Sequence, residues 1–256
     1  MERKVLWAEM RRPELEEAQK AGAAVIVPVG SIEQHGPHLP VDTDTSIVTA
    51  IAVGVARSLA EPRVLVTPTV CFGLSPHHMG FTGTITLRFD TLVNVVCDIC
   101  RSIHTHGFRK ILILNGHGGN SALLNAVPVR LLEEGIHVAS LTYWTAITSE
   151  LREIGKSPLG GISHSGEMET SAQLYLRSHL VDLPSAVAEP IVPLTSLSPR
   201  DFRAPGAVSY QVDLREVTKH GVRGDPSYAT LETGEQVIAA AVAKIGQFVR
   251  EFAALG

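Results

Sequence analysis

Short apolar runs alternate with amphipathic segments along this chain, and the alternation constrains its fold more than any other feature. Apolar runs at residues 23–29, 63–69, 110–114 and 136–143 have the length and branched side chains of buried strands. Between them, residues 45–59, 90–107 and 120–135 repeat apolar side chains at helical spacing. Strands separated by helices run parallel, so the pattern predicts an α/β fold with a mostly parallel sheet covered on both faces.

The remaining segments fit around this unit. We predict a first helix that Pro13 may start, a helix from the HSGEMETS motif onward, and a last helix over residues 230–254. Asp44 or Thr45 is expected to cap the helix at 45–59, and Asp90 the helix at 90–107. The proline-rich stretch after Val181 is interpreted as an extended arm, so residues 1–256 are expected to form a single domain.

Charge and hydropathy exclude several classes of protein. The chain has 22 lysines and arginines against 26 aspartates and glutamates, a net charge of −4, and no basic run that could follow a phosphate backbone. No apolar stretch approaches the roughly 18 to 20 residues that span a bilayer, and the first residues lack the apolar core of a signal peptide. We therefore expect a cytoplasmic protein that binds neither nucleic acid nor membrane.

Cysteine usage indicates no disulfide framework. There are three cysteines, an odd number, and Cys97 and Cys100 form a CxxC inside an apolar helical segment. A redox or zinc role is one interpretation, but no second cysteine pair completes a zinc site. We favour two small buried residues on one helix face.

The loop after the first strand, Gly30 to Asp44, reads GSIEQHGPHLPVDTD. It combines carboxylates and imidazoles within twelve residues: Glu33, His35, His38, Asp42 and Asp44. Oxygen and nitrogen donors at this density suit a divalent metal site, whereas the alternative is a polar surface loop.

Two further motifs supply similar side chains. NGHGGN follows the third strand and places His117 between Gly116 and Gly118, which suits a ligand in a crowded centre better than a phosphate loop, because Walker spacing and lysine are absent. In HSGEMETS, which contains His164, the carboxylates Glu167 and Glu169 would point about 200° apart on a helix. One of them is expected to bind metal and the other to have a structural role.

Loops that leave the carboxyl ends of parallel strands meet at one crevice. The three motifs are therefore expected to share a site for zinc, manganese or iron acting as a Lewis acid. The histidine pair in CFGLSPHHMGFTG lies in another long connection and either contacts substrate or is solvated.

With these motifs assembled, the chain resembles the creatininase family of metal-dependent amidohydrolases. GSIEQHGPHLPVDTD, NGHGGN and HSGEMETS occur in the order and approximate spacing of that family. The resemblance implies a three-layer α/β/α sandwich, two divalent metal ions per subunit, hydrolysis of an amide C–N bond, and assembly into homohexamers.

The resemblance also implies residue roles. Glu33 and His117 would bind one metal ion and His35 the other, with Asp44 as the bridge. His164 would transfer a proton, with Glu167 as a further catalytic candidate. The remaining expected contacts are to substrate: Trp144, His77, His78, Phe81, Gly118 and Gly119.

The chain departs from creatininase proper at two places. Gly119 stands where that enzyme has the glutamate of NGHYEN, so we assign the missing metal ligand to Glu169, with Glu167 as the alternative. Gly160 and Gly161 stand where it has a second pocket tryptophan. NGHGGN and GVRGDPSYAT are more similar to other branches, which include deformylases of formamidopyrimidine nucleotides and the peptidase of mycofactocin maturation.

We therefore predict a hydrolase that cleaves a C–N bond of a small cyclic or linear amide with a metal-activated water, while His164 protonates the leaving nitrogen. His38 and Asp42 are expected to hold the loop or face solvent. The alternatives are a non-enzymatic metal-binding or assembly protein, a peptidase of peptide-cofactor maturation, and a phosphate-binding transferase.

Overall fold

A computed structural model describes residues 3–255 and contains a four-stranded sheet in the order β2-β1-β3-β4. Every pair of neighbouring strands in it is parallel. The strands are β1 (Ala24–Val29), β2 (Val64–Val66), β3 (Ile111–Asn115) and β4 (Val138–Thr142). The predicted α/β fold is confirmed, although β2 is shorter than its apolar run.

Helices cover both faces of the sheet. Their bounds are α1 (Arg12–Lys20), α2 (Thr43–Ser58), α3 (Phe89–Thr105), α4 (Ser121–Leu132), α5 (Tyr143–Ala146), α6 (Thr148–Ile154), α7 (Glu167–Arg177) and α8 (Leu231–Ala254). Among residues 3–255, none of them is long and apolar enough to cross a membrane.

Alternate strand residues divide the core into two layers. Ile26 and Leu112 belong to a buried cluster with α2 and α8, whereas their strand neighbours Val27 and Ile113 belong to a second cluster with α3 and α4. Successive side chains of a strand point to opposite faces, and both faces are buried here. This arrangement is the three-layer sandwich expected from the family resemblance.

The sheet brings two of the predicted site loops to the same edge. Val29 at the end of β1 pairs with Asn115 at the end of β3, so the GSIEQHG and NGHGGN loops leave side by side. Asn115 reinforces its loop, because its side-chain amide donates to the carbonyl of His117 and its side-chain oxygen accepts from the His117 N–H.

The predicted helix caps are wrong at two starts. Helix α2 begins at Thr43, two residues earlier than expected, and its N-cap residue makes no side-chain cap. Thr45 instead donates to the carbonyl of Ser31, and Asp44 faces a histidine cluster. Helix α3 begins at Phe89, so Asp90 lies in its first turn rather than at the cap. By contrast, Thr230 caps α8 by accepting from the Thr233 N–H.

Between residues 182 and 230 the chain forms no α-helix and no strand of the sheet, only 3-10 helices of three residues each, as predicted for an irregular arm. Glu189 and Gly224 exchange two backbone hydrogen bonds, both of 2.9 Å, and these join the start of the arm to the turn before α8. Cys97 and Cys100 are both buried in α3 as free thiols, and burial raises the pKa of Cys100 to about 12. They are core residues, as favoured from the sequence.

Candidate metal centre

Five potential metal ligands, all from the three sequence motifs, lie together at the carboxyl edge of the sheet. Two come from the loop after β1, one from the first turn of α2, one from the loop after β3 and one from the first turn of α7. All five are buried: Glu33, His35, Asp44, His117 and Glu169.

Asp44 lies at the middle of this group, and its two oxygens face different neighbours. Its Oδ1 is 3.2 Å from Nε2 of His35, which lies 3.6 Å from Oε2 of Glu169. Its Oδ2 is 2.9 Å from Nδ1 of His117, which lies 3.2 Å from Oε2 of Glu33. The geometry therefore defines two sets of donors that share one carboxylate.

Backbone carbonyls orient both imidazole rings toward the carboxylates. His35 Nδ1 lies 3.1 Å from the carbonyl of Glu33, and His117 Nε2 lies 3.1 Å from the carbonyl of Leu74. A carbonyl oxygen only accepts, so these nitrogens carry the protons. The opposite nitrogen of each ring faces the carboxylates, where it can bind a metal ion once it carries no proton.

The donor set fits a divalent cation. Nε2 of His35 and Oδ2 of Asp44 are buried without a hydrogen-bond partner among the described residues, and such buried polar atoms are costly. Three carboxylates and two imidazoles with no thiolate form a set that zinc, manganese or iron accepts. Three groupings of ligand atoms within 4.8 Å of one another occur among the described residues. Glu33–His35–Asp44 lies wholly within the five residues, whereas His35–His164–Glu169 and Glu33–His78–His164 also include His164.

The pKa values reflect how closely these charges are packed. Burial would raise the pKa of Glu33, but His117, His164 and His35 together lower it. Burial dominates at Glu169 and raises its pKa to about 8. Burial would lower the pKa of His35, yet Asp44, Glu169 and Glu33 together raise it to about 10. A divalent cation bound here would replace the protons on His35 and Glu169 as the partner of the negative charges.

His164 lies beside the cluster, next to a glutamine that the sequence analysis did not single out. Its Nδ1 is 3.5 Å from Oε1 of Glu33, and its Nε2 is 3.1 Å from Nε2 of Gln34. Gln34 also donates to the carbonyl of Gly221 and lies 3.0 Å from Nδ1 of His78. Burial, followed by the charge of His35, lowers the pKa of His164 well below its usual value, so this imidazole is neutral.

A cavity of about 200 Å³ opens onto the cluster. Of the predicted substrate contacts, it brings together His77, His78, Gly118, Gly119 and Trp144, with His164 from the catalytic pair. Further lining residues were not predicted: Ser163, Phe202, Gln211, Leu214 and Arg223.

Two predicted site residues are not brought to the cavity. Both carboxylate oxygens of Glu167 accept backbone N–H groups, from Lys156 at 2.8 Å and Ser157 at 2.7 Å. These contacts favour the structural role left open for one of the two carboxylates over a catalytic role of Glu167. Phe81 is half-buried and is not among the lining residues, so its contact with substrate stays a prediction.

The backbone at Gly119 leaves no room for a glutamate side chain. A Cβ there would lie 2.1 Å from the carbonyl oxygen of Leu74 and 2.4 Å from Nε2 of His117. The same crowding is present at Gly116, where a Cβ would meet Val48 at 2.6 Å, but not at Gly118, which has open space. Of the two glycines that flank His117, Gly116 thus has the expected crowding and Gly118 does not.

The other two polar residues of the first loop anchor it to α7. Nε2 of His38 is 2.9 Å from Oγ1 of Thr170, and both oxygens of Asp42 accept from Arg177 at 2.7 and 2.8 Å. They hold the loop, which is one of the two roles expected for them.

The residues missed from the sequence differ in how visible they were. Gln34 stands between two predicted ligands in the first motif, and Ser75, which donates to Oε2 of Glu33 at 2.7 Å, precedes the histidine pair. Phe202 stacks on Trp144 with ring centres 4.7 Å apart. It lies in the arm, where no periodicity marks it, whereas Arg223 lies in the GVRGDPSYAT turn.

Comparisons with known proteins identify relatives of the chain. The sequence model of the creatininase family, described as creatinine amidohydrolase, matches residues 8–249. The chain is 35% identical to the mycofactocin precursor peptide peptidase of Mycolicibacterium smegmatis over 84% of this chain and 79% of that protein. It is 31% identical to the creatinine amidohydrolase of Pseudomonas putida over 98% of each. A solved structure named "Creatininase Mn" superposes with a TM-score of 0.79 at 29% identity, covering 97% of this chain and 98% of the other.

Proposed function

The chain belongs to the creatininase family of hydrolases, and on this basis we propose that it is a metal-dependent amidohydrolase that cleaves a C–N bond of a small amide. The observation that carries the proposal is the pair of donor sets sharing Asp44, with the neutral His164 beside them. A site that only bound metal would not need a neutral imidazole facing the cavity.

Two divalent ions would be held by these donor sets. Glu33 and His117 would bind one, His35 and Glu169 the other, and Asp44 both. When bound, such ions lower the pKa of a shared water and polarise the substrate carbonyl. The manganese in the name of the solved relative supports this class of ion, and zinc and iron accept the same donors.

His164 would move the proton. As a neutral imidazole it first accepts a proton from the attacking water and then donates it to the departing nitrogen, because an amine anion is a poor leaving group. One N–H of Gln34 is donated to the carbonyl of Gly221, and the other lies within hydrogen-bond distance of both His164 and His78, so it can orient one of these rings at a time. Water is limited by the small cavity and by the Trp144–Phe202 stack at its wall.

The experiment is a hydrolysis screen with metal-loaded protein over creatinine, formamides, lactams and short peptides. We expect turnover of at least one class, its loss on treatment with a chelator, and its return when manganese or zinc is added. Glu33→Gln should abolish turnover, whereas Glu16→Gln, an exposed site on α1, is the matched control. Turnover that survives chelation would contradict the proposal.

A peptidase acting on a precursor peptide is the second candidate. It is supported by the 35% identity to the mycofactocin precursor peptide peptidase, and the short peptides in the screen test it. A non-enzymatic metal-binding protein predicts metal uptake with no turnover in any class. A phosphate-binding transferase predicts protection by phosphate or nucleotide in place of metal.

We also propose that the chain assembles into a homohexamer. The proposal rests on the family, and large apolar side chains exposed on the arm support buried contacts between subunits. Val192 is 81% exposed, Leu197 60% and Tyr210 70%.

A further inference from the structure

Arg223 is the one lysine or arginine among the residues that line the cavity of the candidate metal centre. Within residues 3–255, its guanidinium makes no hydrogen bond or ion pair. The side chain is half-buried, and burial lowers its pKa with no acidic neighbour to offset the effect. Cations that lose water in this way are ordinarily paired, so the missing partner is expected to come from outside the chain.

The backbone holds Arg223 in place beside His164. Its N–H donates to the carbonyl of His164 at 2.9 Å, and the next residue, Gly224, is hydrogen-bonded to Glu189. A Cβ on Gly224 would lie 2.5 Å from Cα of Gly166, so the two segments are in close contact. The backbone from which the Arg223 side chain extends is therefore fixed next to the proposed proton-transfer residue.

The surroundings of Arg223 are apolar on the side away from the metal ligands. A smaller cavity, of about 50 Å³, adjoins the first and shares His77, Gln211, Leu214 and Arg223 with it. Its other walls come from the arm: Pro193, Leu194, Ser198, Pro199, Val208, Tyr210 and Val212. Arg223 thus lies where a polar reaction centre meets an apolar wall.

The charge at this junction matches one carboxylate. Among the residues that the structure describes, Arg223 is the one lysine or arginine that lines either cavity, so the junction carries a single guanidinium charge. A guanidinium binds a carboxylate through two parallel hydrogen bonds and neutralises its single charge. A phosphate monoester carries more charge and three acceptor oxygens, for which one arginine is a poor match.

We propose that Arg223 binds a carboxylate of the substrate and thereby selects amides that carry one, such as the C-terminal residue of a peptide, over uncharged amides such as creatinine. The inference rests on the proposed function, because it takes the cavity as the substrate site. An uncharged substrate would leave the partly dehydrated guanidinium without a partner, whereas a carboxylate beside an apolar group satisfies both parts of the junction.

Binding can be tested without turnover. Manganese-loaded protein is titrated calorimetrically with N-acetyl-L-leucine and with N-acetyl-L-leucinamide, which differ in the carboxylate alone. A hydrogen-bonded charge pair contributes enough that the acid should bind ~10- to 100-fold more tightly than the amide. Arg223→Gln should reduce this ratio to below about 3-fold, and Arg223→Lys, which keeps the charge but loses the fork, should give an intermediate ratio.

Arg200→Gln is the matched control, because Arg200 is exposed on the arm and does not line either cavity. It should leave the ratio unchanged. The metal content and thermal midpoint of Arg223→Gln should equal those of the unaltered protein, since the side chain has no bond to lose. An acid-to-amide ratio that persists in Arg223→Gln, or equal or undetectable binding of both probes by the unaltered protein, would overturn the proposal.

Two further outcomes distinguish the hydrolase function from the role of Arg223. If dipeptides and their C-terminal amides are hydrolysed at equal rates, the hydrolase function stands and the role of Arg223 fails. If the acid binds through Arg223 but no amide in the screen is hydrolysed, the role of Arg223 stands and the hydrolase function fails. Displacement of N-acetyl-L-leucine by inorganic phosphate at lower concentration than by acetate would overturn the choice of a carboxylate.

Discussion

At the scale of single residues, the site depends on side chains whose orientation is fixed by backbone carbonyls. His35 and His117 use one nitrogen for a carbonyl and direct the other to Asp44. The sequence predicted these residues because ligand types and motif spacing are visible in it. It could not predict Gln34 as a contact of His164, because a glutamine between two ligands has no chemistry of its own to mark it.

Replacement of His164 tests the proton transfer. His164→Ala should lower kcat by a factor on the order of 10² to 10⁴, since the leaving nitrogen would depart without its proton donor. Steady-state kinetics on a substrate found in the screen measures the effect, and elemental analysis of the variant should find unchanged metal content. Unaltered kcat in this variant would contradict the assignment.

The two carboxylates of α7 form a matched pair for substitution. Glu169→Gln should lower the bound metal from two ions to about one per chain, because Glu169 faces His35 in one donor set. Glu167→Gln should retain the metal but lower the free energy of unfolding by about 1–3 kcal/mol, because an amide cannot accept from two backbone N–H groups with both of its heavy atoms.

Elemental analysis and urea unfolding, applied to both variants, separate the two roles. Loss of metal from Glu167→Gln with none from Glu169→Gln would reverse the assignment made here.

At the scale of helices and strands, the alternation of apolar runs was sufficient to predict the sheet, its parallel strands and the edge where the loops meet. Helix starts were less predictable. A residue such as Asp44 has the chemistry of a cap, but the buried histidines compete for its carboxylate and bind it more closely. Local capping preference therefore failed at the element that carries a site residue.

One charged clamp fixes the arm to the segment that precedes α7. Asp201 accepts from the Gly160 N–H at 2.9 Å and from Arg203, which in turn donates to the carbonyls of Ser157 and Pro158. Glu167 holds the same short segment through the N–H groups of Lys156 and Ser157.

Acid should weaken this clamp. Burial would raise the pKa of Asp201, but hydrogen bonds from Arg203 and Gly160 lower it in the folded protein. Its contribution to stability is therefore complete above the unfolded value of about 3.9 and is lost as the pH falls toward the folded value. Asp201→Asn should lower the thermal midpoint at pH 7 and flatten its decline below about pH 4.

Thermal unfolding followed by circular dichroism between pH 3 and pH 7 checks the effect, with Asp98→Asn, an exposed residue of α3, as the control. A parallel decline in all three proteins would show that Asp201 does not contribute.

At the scale of the whole molecule, the arm is the part that the sequence described least well. Its prolines and weak periodicity indicated an irregular segment, which is correct, but gave no sign that Phe202 stacks on Trp144 or that the arm forms the wall of the smaller cavity. Contacts of this kind depend on the path of the whole chain. They leave no pattern in neighbouring residues.

Assembly should depend on the arm. Light scattering coupled to size exclusion should give the mass of six chains, and Leu197→Glu should shift the protein to smaller species, because a charge at a buried apolar contact loses its water. Lys219→Glu, which changes the charge at another exposed residue, is the control. A monomer at micromolar concentration would contradict the proposed hexamer.

The most direct test of the metal-dependent mechanism is the metal content of the purified protein. Protein that has been prepared with excess manganese or zinc and then freed of unbound ions should contain about two divalent ions per chain by elemental analysis. Glu33→Gln should contain fewer. Less than one ion per chain in the unaltered protein would contradict a binuclear hydrolase.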